Sequence, residues 1–161
     1  MNKILIFGAG RIGRSFIGQI FSRGGYEVVF VDINPHLIDL INSNKSYNII
    51  IKGEKDVTLQ IENVRGIHFE DTARIMVELY STTVTAISVG QAALPSILPI
   101  IAKSLKQRIR SALPQPLDII LAENMRDAAG YFKTGLEKIL GRKFPLDFMA
   151  GLIETSIGKM V

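Results

Sequence analysis

Three glycines near the start of the chain, Gly8, Gly10 and Gly13, have the spacing G-x-G-x-x-G. This spacing can hold the pyrophosphate of a dinucleotide. The first glycine permits a tight turn out of a strand, the second lets phosphates approach bare backbone, and the third lets a helix pack close to the sheet. Free N–H groups at the helix N-terminus then bind the anion. The spacing alone is weak evidence, because glycines at these intervals also form ordinary turns.

The segments around the glycines are those that the motif requires. Residues 4–7 are apolar and predict a strand, and residues 14–21 predict the helix after the turn. A second predicted strand, residues 27–31, ends at Asp32, where a carboxylate can accept hydrogen bonds from the adenosine ribose and repel a 2′-phosphate. These features predict NAD rather than NADP. The alternative is that Asp32 only ends the strand and begins a turn.

Two later strand ends are predicted to face the same ligand. Residues 84–89 predict the fourth strand of the sheet, beside the first, so that Val89 and Gly90 face the cofactor; alternatively, Gly90 only opens a helix. Residues 117–122 predict the fifth strand, which places Asn124 in the ligand crevice. Asn124 could instead cap the helix predicted over residues 126–140.

The alternation of strands and helices predicts an α/β fold with a doubly wound, mostly parallel Rossmann sheet, and residues 1–161 fit one domain. Helices are expected over residues 35–44 and 71–79, a helix ends near residue 110, and a sixth strand covers residues 148–153. Residues 47–52 and 56–69 are rich in β-branched side chains, which predicts an inserted antiparallel hairpin that includes His68.

The composition excludes several classes of site. The chain has no cysteine, so a disulfide, a thiolate zinc site and a cysteine nucleophile are impossible, and no metal site is predicted. Its start has no signal peptide and no stretch approaches a membrane span, so we expect a soluble cytoplasmic protein. The net charge is +4, but Lys103, Lys106 and Arg110 fall on one helix face without interleaved aromatics. We therefore expect a solvated face there and no nucleic-acid contact.

The chain offers no general base for hydride chemistry. Oxidation of an alcohol needs a proton acceptor beside the substrate hydroxyl. His36 and His68 are not placed beside a nicotinamide by this topology, and no Ser-x-x-x-Lys or Tyr-x-x-x-Lys pair follows a strand. We therefore expect the base to lie outside these residues, in a C-terminal domain that this chain lacks.

Residues 7–18, 32–34, 46–47, 122–125 and 150–161 together resemble the N-terminal domain of the mannitol-1-phosphate 5-dehydrogenases, within the polyol-specific long-chain dehydrogenases. The resemblance implies NAD-dependent interconversion of D-mannitol 1-phosphate and D-fructose 6-phosphate. It also implies that Asn124 hydrogen-bonds the oxygen that becomes charged during hydride transfer, and that a catalytic lysine lies in a helical second domain. Arg11 and Ser15 stand where relatives commonly carry Asn and Gly, which can alter phosphate contacts.

Arg14 either contacts phosphate or lies solvated on its helix. The full set of predicted cofactor contacts is Phe7, Gly8, Ala9, Gly10, Arg11, Ile12, Gly13, Arg14, Asp32, Asn34, Val89, Gly90 and Asn124.

Two other functions are left open. One is an NAD-sensing regulatory domain of a potassium transport system, which the first forty residues also resemble, and the other is a dehydrogenase of a different polyol or a uronate.

Overall fold

A computed structural model describes residues 2–158 of the protein. Met1, Lys159, Met160 and Val161, which the sequence interpretation also used, lie outside the described residues. The strands are β1 (Lys3–Phe7), β2 (Glu27–Asp32), β3 (Ser46–Ile51), β4 (Val57–Glu62), β5 (Val64–His68), β6 (Val84–Ile87), β7 (Leu117–Leu121) and β8 (Ala150–Glu154). The helices are α1 (Gln19–Arg23), α2 (Pro35–Asn44), α3 (Thr72–Ser81), α4 (Leu94–Arg108), α5 (Ala128–Leu140) and α6 (Leu146–Met149).

Six strands form one parallel sheet in the order β5-β2-β1-β6-β7-β8. This is the doubly wound order, in which the chain starts at the centre, builds one half outward and returns to build the other. The predicted fold class is confirmed, and so is the position of the fourth strand of the sheet beside the first. The carboxyl ends of β1 and β6 therefore meet at the topological switch point, where open α/β sheets bind ligands.

Two apolar layers cover the sheet. Helices α3, α4 and α5 pack on one face, and the other face packs on a π-helical segment (Gly13–Gly18), on α2 and on the β3–β4 pair. Strand β1 has buried side chains along both faces, alternating between the two layers. A fully buried central strand is expected of a parallel sheet covered on both sides.

The predicted hairpin is only partly correct. Strands β3 and β4 do form a separate antiparallel pair, but its second strand ends at Glu62. Asn63 then adopts a positive φ of 58°, a conformation that asparagine tolerates better than most residues, and the chain turns into the main sheet as β5. The placement of His68 in the hairpin region is therefore wrong. His68 is the last residue of β5 and lies opposite Asp32 in the register.

One helix end and one strand start differ from the prediction for local reasons. Helix α4 ends at Arg108 because the N–H groups of Arg110 and Ser111 bond to carbonyls three residues back. The last strand begins at Ala150 because the short helix α6 occupies the residues before it. The predicted exposure of Lys103, Lys106 and Arg110 is confirmed, although Arg110 lies just beyond the end of α4.

A buried arginine fixes the edge of the sheet opposite the switch point. The guanidinium of Arg108 is buried and donates hydrogen bonds to the carbonyl oxygens of Leu79, Tyr80, Thr82, Gln115 and Pro116. Burial lowers the pKa of Arg108 from its ordinary value. Five carbonyl partners hold the loops at the amino ends of β6 and β7 and leave the carboxyl ends to form a site.

No helix among residues 2–158 is both long and apolar enough to cross a bilayer.

Candidate dinucleotide-binding site

The glycine turn packs against the end of β6. Gly8 has a φ of 95°, and a Cβ added there would clash with the carbonyl oxygen of Ser88. A Cβ on Gly13 would clash with the carbonyl oxygen of Gly8, so the helix that follows lies directly against the turn. Side chains at either position would push the helix away from the sheet. These two glycines therefore set the shape of the turn.

Gly10 differs from its two neighbours in the motif. It is exposed, and no atom lies within 4 Å of the place that a Cβ would take. The space beside its backbone is open at the point where the following helix begins. Helix N-termini leave backbone N–H groups without intrahelical partners, and open space beside such groups is the kind of place that binds phosphate.

Asp32 joins the two loops of the first mononucleotide half. Its Oδ2 accepts a hydrogen bond from the Ala9 N–H at 2.8 Å, and its Oδ1 accepts one from the Asn34 N–H at 2.9 Å. The carboxylate thus sits at the glycine turn, where a ribose would lie. Asn34 itself caps α2, because its side chain accepts a hydrogen bond from the Leu37 N–H.

Not every predicted contact residue reaches the open side of the turn. Phe7 and Ala9 are fully buried, so their side chains shape the turn from beneath and are not available to a ligand. The side chain of Ile12 is half-buried against the core. Arg11 is exposed, and Arg14 is half-buried beside the hairpin, where its carbonyl accepts a hydrogen bond from the Tyr47 hydroxyl at 2.6 Å.

Ser88 is a site residue that the sequence interpretation missed. Its N–H donates to the Phe7 carbonyl at 2.8 Å, and its hydroxyl lies 3.2 Å from the carbonyl oxygens of both Phe7 and Gly8. These bonds tie the end of β6 to the glycine turn. A polar residue directly after an apolar strand was the available signal.

Glu123 lies in the motif of residues 122–125, but it was not among the predicted cofactor contacts. It follows β7, is 9% exposed, and its Oε1 accepts hydrogen bonds from the N–H groups of Val89 at 2.9 Å and Gly90 at 3.0 Å. Gly90 has a φ of 85°, a conformation that glycine adopts more readily than other residues, which explains why a glycine stands here. Because Glu123 occupies both N–H groups, the predicted cofactor contacts at Val89 and Gly90 are restricted to their other atoms.

Asn124 is exposed, and its side chain makes no hydrogen bond to any residue that the structure describes. The helix-cap alternative is wrong. The N-cap of α5 is Asp127, whose side chain accepts a hydrogen bond from the Gly130 N–H, so the helix begins at Ala128 rather than at residue 126. The Asn124 amide is therefore free to serve a ligand at the carboxyl end of β7.

The environment of Glu123 gives a testable dependence of stability on pH. Burial raises the pKa of Glu123 above its ordinary value, and the hydrogen bonds from Gly90 and Val89 only partly offset this effect. A raised carboxyl pKa means that the ionised form of Glu123 is less favourable in the folded state. The resulting loss of stability is present at neutral pH and disappears below the unfolded-state pKa.

We expect Glu123→Gln to have a larger free energy of unfolding than the native chain at pH 7. Urea denaturation should show this difference shrinking as the pH falls toward 4, within the range where carboxyls titrate. A difference that stays constant across that range would contradict the assignment.

Comparison with known proteins identifies the family. The sequence pattern described as the mannitol dehydrogenase Rossmann domain matches residues 2–158. The chain belongs to the mannitol dehydrogenase family. The matched part of the family is its Rossmann domain.

Curated relatives agree with this family. A mannitol-1-phosphate 5-dehydrogenase from Streptococcus mutans is 33% identical over 165 residues, covering 100% of this chain and 43% of that protein. One from Geobacillus stearothermophilus is 39% identical over 159 residues, covering 96% of this chain and 41% of that protein. The chain thus spans about two fifths of the length of these relatives.

Solved structures share the fold of this mannitol dehydrogenase domain. A UDP-glucose dehydrogenase from Pyrobaculum islandicum superposes with a TM-score of 0.60 at 13% identity, covering 88% of this chain and 34% of that one. A prephenate dehydrogenase from A. aeolicus, solved with hydroxyphenyl propionate and NAD+, gives a TM-score of 0.54 at 18% identity, covering 89% of this chain and 40% of that one. At these identities the likeness concerns the fold alone.

Proposed function

We propose that this chain is the cofactor domain of an NAD-dependent dehydrogenase that interconverts D-mannitol 1-phosphate and D-fructose 6-phosphate. The observation that carries the proposal is the placement of the Asp32 carboxylate on the glycine turn beside the open space at Gly10. The relatives named mannitol-1-phosphate 5-dehydrogenase supply the substrate pair. NAD(H) and a polyol or sugar phosphate are therefore the proposed partners.

Features in both halves of the crevice support this proposal. Gly10 leaves room for the phosphates at a helix N-terminus, and Asp32 is placed to accept hydrogen bonds from the adenosine ribose. When bound, NAD supplies the carbon that accepts or returns the hydride. In this proposal the exposed Asn124 amide donates a hydrogen bond to the substrate oxygen as negative charge develops there.

The proton acceptor is proposed to lie outside this chain. His68 lies opposite Asp32, in the adenosine half of the crevice, and its Nε2 is 3.0 Å from the Ile33 carbonyl oxygen. His36 is exposed at the start of α2, in the same half. Neither imidazole lies at the ends of β6 and β7, so the base is assigned to the part of the relatives that this chain does not cover. We expect the 161-residue chain alone to bind cofactor and to turn over no mannitol 1-phosphate.

The two alternative functions are a regulatory sensor of potassium transport and a dehydrogenase of a different polyol or a uronate. Membership of the mannitol dehydrogenase family over residues 2–158 does not support a regulatory sensor of potassium transport. A dehydrogenase of another polyol or of a uronate would share every feature described above. A substrate panel on the full-length enzyme, with mannitol 1-phosphate tested against other polyols and their phosphates, decides between them. A cytoplasmic location stays a prediction.

The charge of Asp32 should determine the choice between NAD and NADP. We expect Asp32→Asn to weaken NAD+ binding by about 10- to 100-fold, because a hydrogen bond to a charged group contributes ~1.5–3 kcal/mol. NADP+ binding should not weaken in parallel, because the repulsion of the 2′-phosphate is lost. Calorimetric titration with both nucleotides measures this, and Asp39→Asn, an exposed carboxylate change on α2, is the control. Equal weakening of both nucleotides would remove the assigned role of Asp32.

A further inference from the structure

The Glu123 carboxylate has no part in the proposed hydride transfer. It lies almost wholly out of solvent, yet no cation of the described residues pairs with it. Two neutral N–H groups, both from the turn after β6, are its hydrogen-bond donors. Burying a carboxylate is unfavourable unless its hydrogen bonds are satisfied. The position of those two donors therefore indicates what the side chain does.

The turn that Glu123 holds has little other support. Gly90 is exposed, its φ is 85°, and no atom lies within 4 Å of where its Cβ would be. The Gly90 carbonyl accepts a bond from the Ala93 N–H, which begins the short helical turn Gln91–Ala93. Oε1 of Glu123 reaches across from the neighbouring strand and fixes two consecutive N–H groups at once. Without it the backbone of the turn would be held only at its two ends, with the Val89 side chain packed against the core.

The turn and Asn124 belong to the same half of the crevice. Strands β6, β7 and β8 form the second mononucleotide half of the sheet, and the glycine turn and Asp32 lie in the first half. Strands β6 and β7 pair up to Ile87 and Leu121, and the Ala122 N–H donates to the Ile87 carbonyl. Glu123 continues this connection beyond the last strand pair. Its side chain is turned inward, and the next residue, Asn124, is exposed.

We propose that Glu123 is a positioning residue for the nicotinamide half of the cofactor site. Its Oε1 fixes the Val89–Gly90 turn relative to the end of β7, so that the turn and the Asn124 amide lie at a set distance across the crevice. This inference rests on the proposed function. It adds that Asp32 shapes the adenosine half of the cofactor site and that Glu123 shapes the nicotinamide half.

The test compares a ligand that spans both halves with one that fills only the first. Calorimetry measures the binding of NAD+ and of ADP to the 161-residue chain and its variants. We expect Glu123→Ala to weaken NAD+ binding by about tenfold, since binding must then order the released turn, and fixing the backbone of about one residue costs roughly that factor. ADP binding should change less than about twofold, because ADP lacks the nicotinamide and its ribose, which would lie between the β6 turn and Asn124. Glu137→Ala, which removes an exposed carboxylate from α5, is the control for charge.

Two further variants separate position from charge and keep the test independent of the stability of Glu123→Ala. Glu123→Gln keeps an oxygen at the same reach and should bind NAD+ within about threefold of the native chain, because amide oxygens also accept N–H hydrogen bonds. Glu123→Asp keeps the charge but is one methylene shorter, and should lose NAD+ affinity as the alanine variant does. Amide hydrogen exchange at Val89 and Gly90 should be slow in the native and Gln proteins and fast in the Asp protein.

Each outcome decides something distinct. A native chain that binds neither NAD+ nor ADP overturns the proposed function, and this inference with it. A native chain that binds both, with variants that weaken both equally or neither, overturns only the inference. Retention of NAD+ binding by Glu123→Asp together with its loss in Glu123→Gln would show that charge rather than position matters, which also overturns it.

Discussion

Alanine at Gly13 should destabilise the domain by at least ~3 kcal/mol, whereas alanine at Gly10 should leave its stability within ~0.5 kcal/mol and abolish cofactor binding. The difference follows from what a Cβ would meet. At Gly13 it would clash with the Gly8 carbonyl oxygen, which is backbone and cannot rotate away. At Gly10 it would meet no atom within 4 Å, and it would fill only the space assigned to phosphate.

The pair forms a matched experiment, because the two substitutions are chemically identical and three residues apart. Urea denaturation measures the free energy of unfolding, and calorimetry measures NAD+ binding. Full NAD+ affinity in Gly10→Ala would show that the phosphates do not pass this backbone. A stable Gly13→Ala protein would show that the turn and helix are packed less closely than the structure indicates.

Asn124→Ala in the full-length enzyme should lower kcat by about 10- to 1000-fold while NAD+ affinity stays within a few fold, as expected when one donor to a developing oxyanion is removed. The exposed Asn124 side chain supports no described element, so the free energy of unfolding should not change. Steady-state kinetics with mannitol 1-phosphate, together with denaturation of the same protein, measure both quantities.

Asp127→Ala is the matched control for Asn124→Ala. It removes the N-cap of α5 three residues further along, and loss of such a cap costs about 1 kcal/mol of stability. We expect this variant to be less stable and to retain turnover at temperatures where it is folded. If Asn124→Ala instead lost stability and kept its kcat, the proposed role of Asn124 in stabilising the oxyanion would be contradicted.

The first half of the crevice could be predicted closely from the sequence. The glycine spacing, the strand before it and the acid after the second strand are all local patterns, and each depends on backbone geometry that glycine or a strand end imposes. The position of the fourth strand beside the first followed from the alternation of strands and helices, whereas the edge strand β5 was included in the predicted hairpin. Asp32 accordingly lies on the glycine turn.

The second half could be predicted only in part, because its geometry depends on contacts between distant segments. Glu123 accepts hydrogen bonds from Val89 and Gly90, which lie more than thirty residues away in the sequence, and no local pattern around Glu123 predicts that contact. The hairpin boundary was missed because a single residue, Asn63, turns the chain within a segment that is rich in β-branched side chains on both sides. The start of α5 was misplaced because two polar residues, Asn124 and Asp127, were both suitable caps.

The most direct test of the central claim is a calorimetric titration of the 161-residue chain with NADH and with NADPH under the same conditions. We expect saturable binding of one NADH per chain and binding of NADPH at least about tenfold weaker, because the Asp32 carboxylate repels the 2′-phosphate. Absence of NADH binding to the folded chain, or equal affinity for the two nucleotides, would contradict the assignment of the glycine turn and Asp32 as an NAD site.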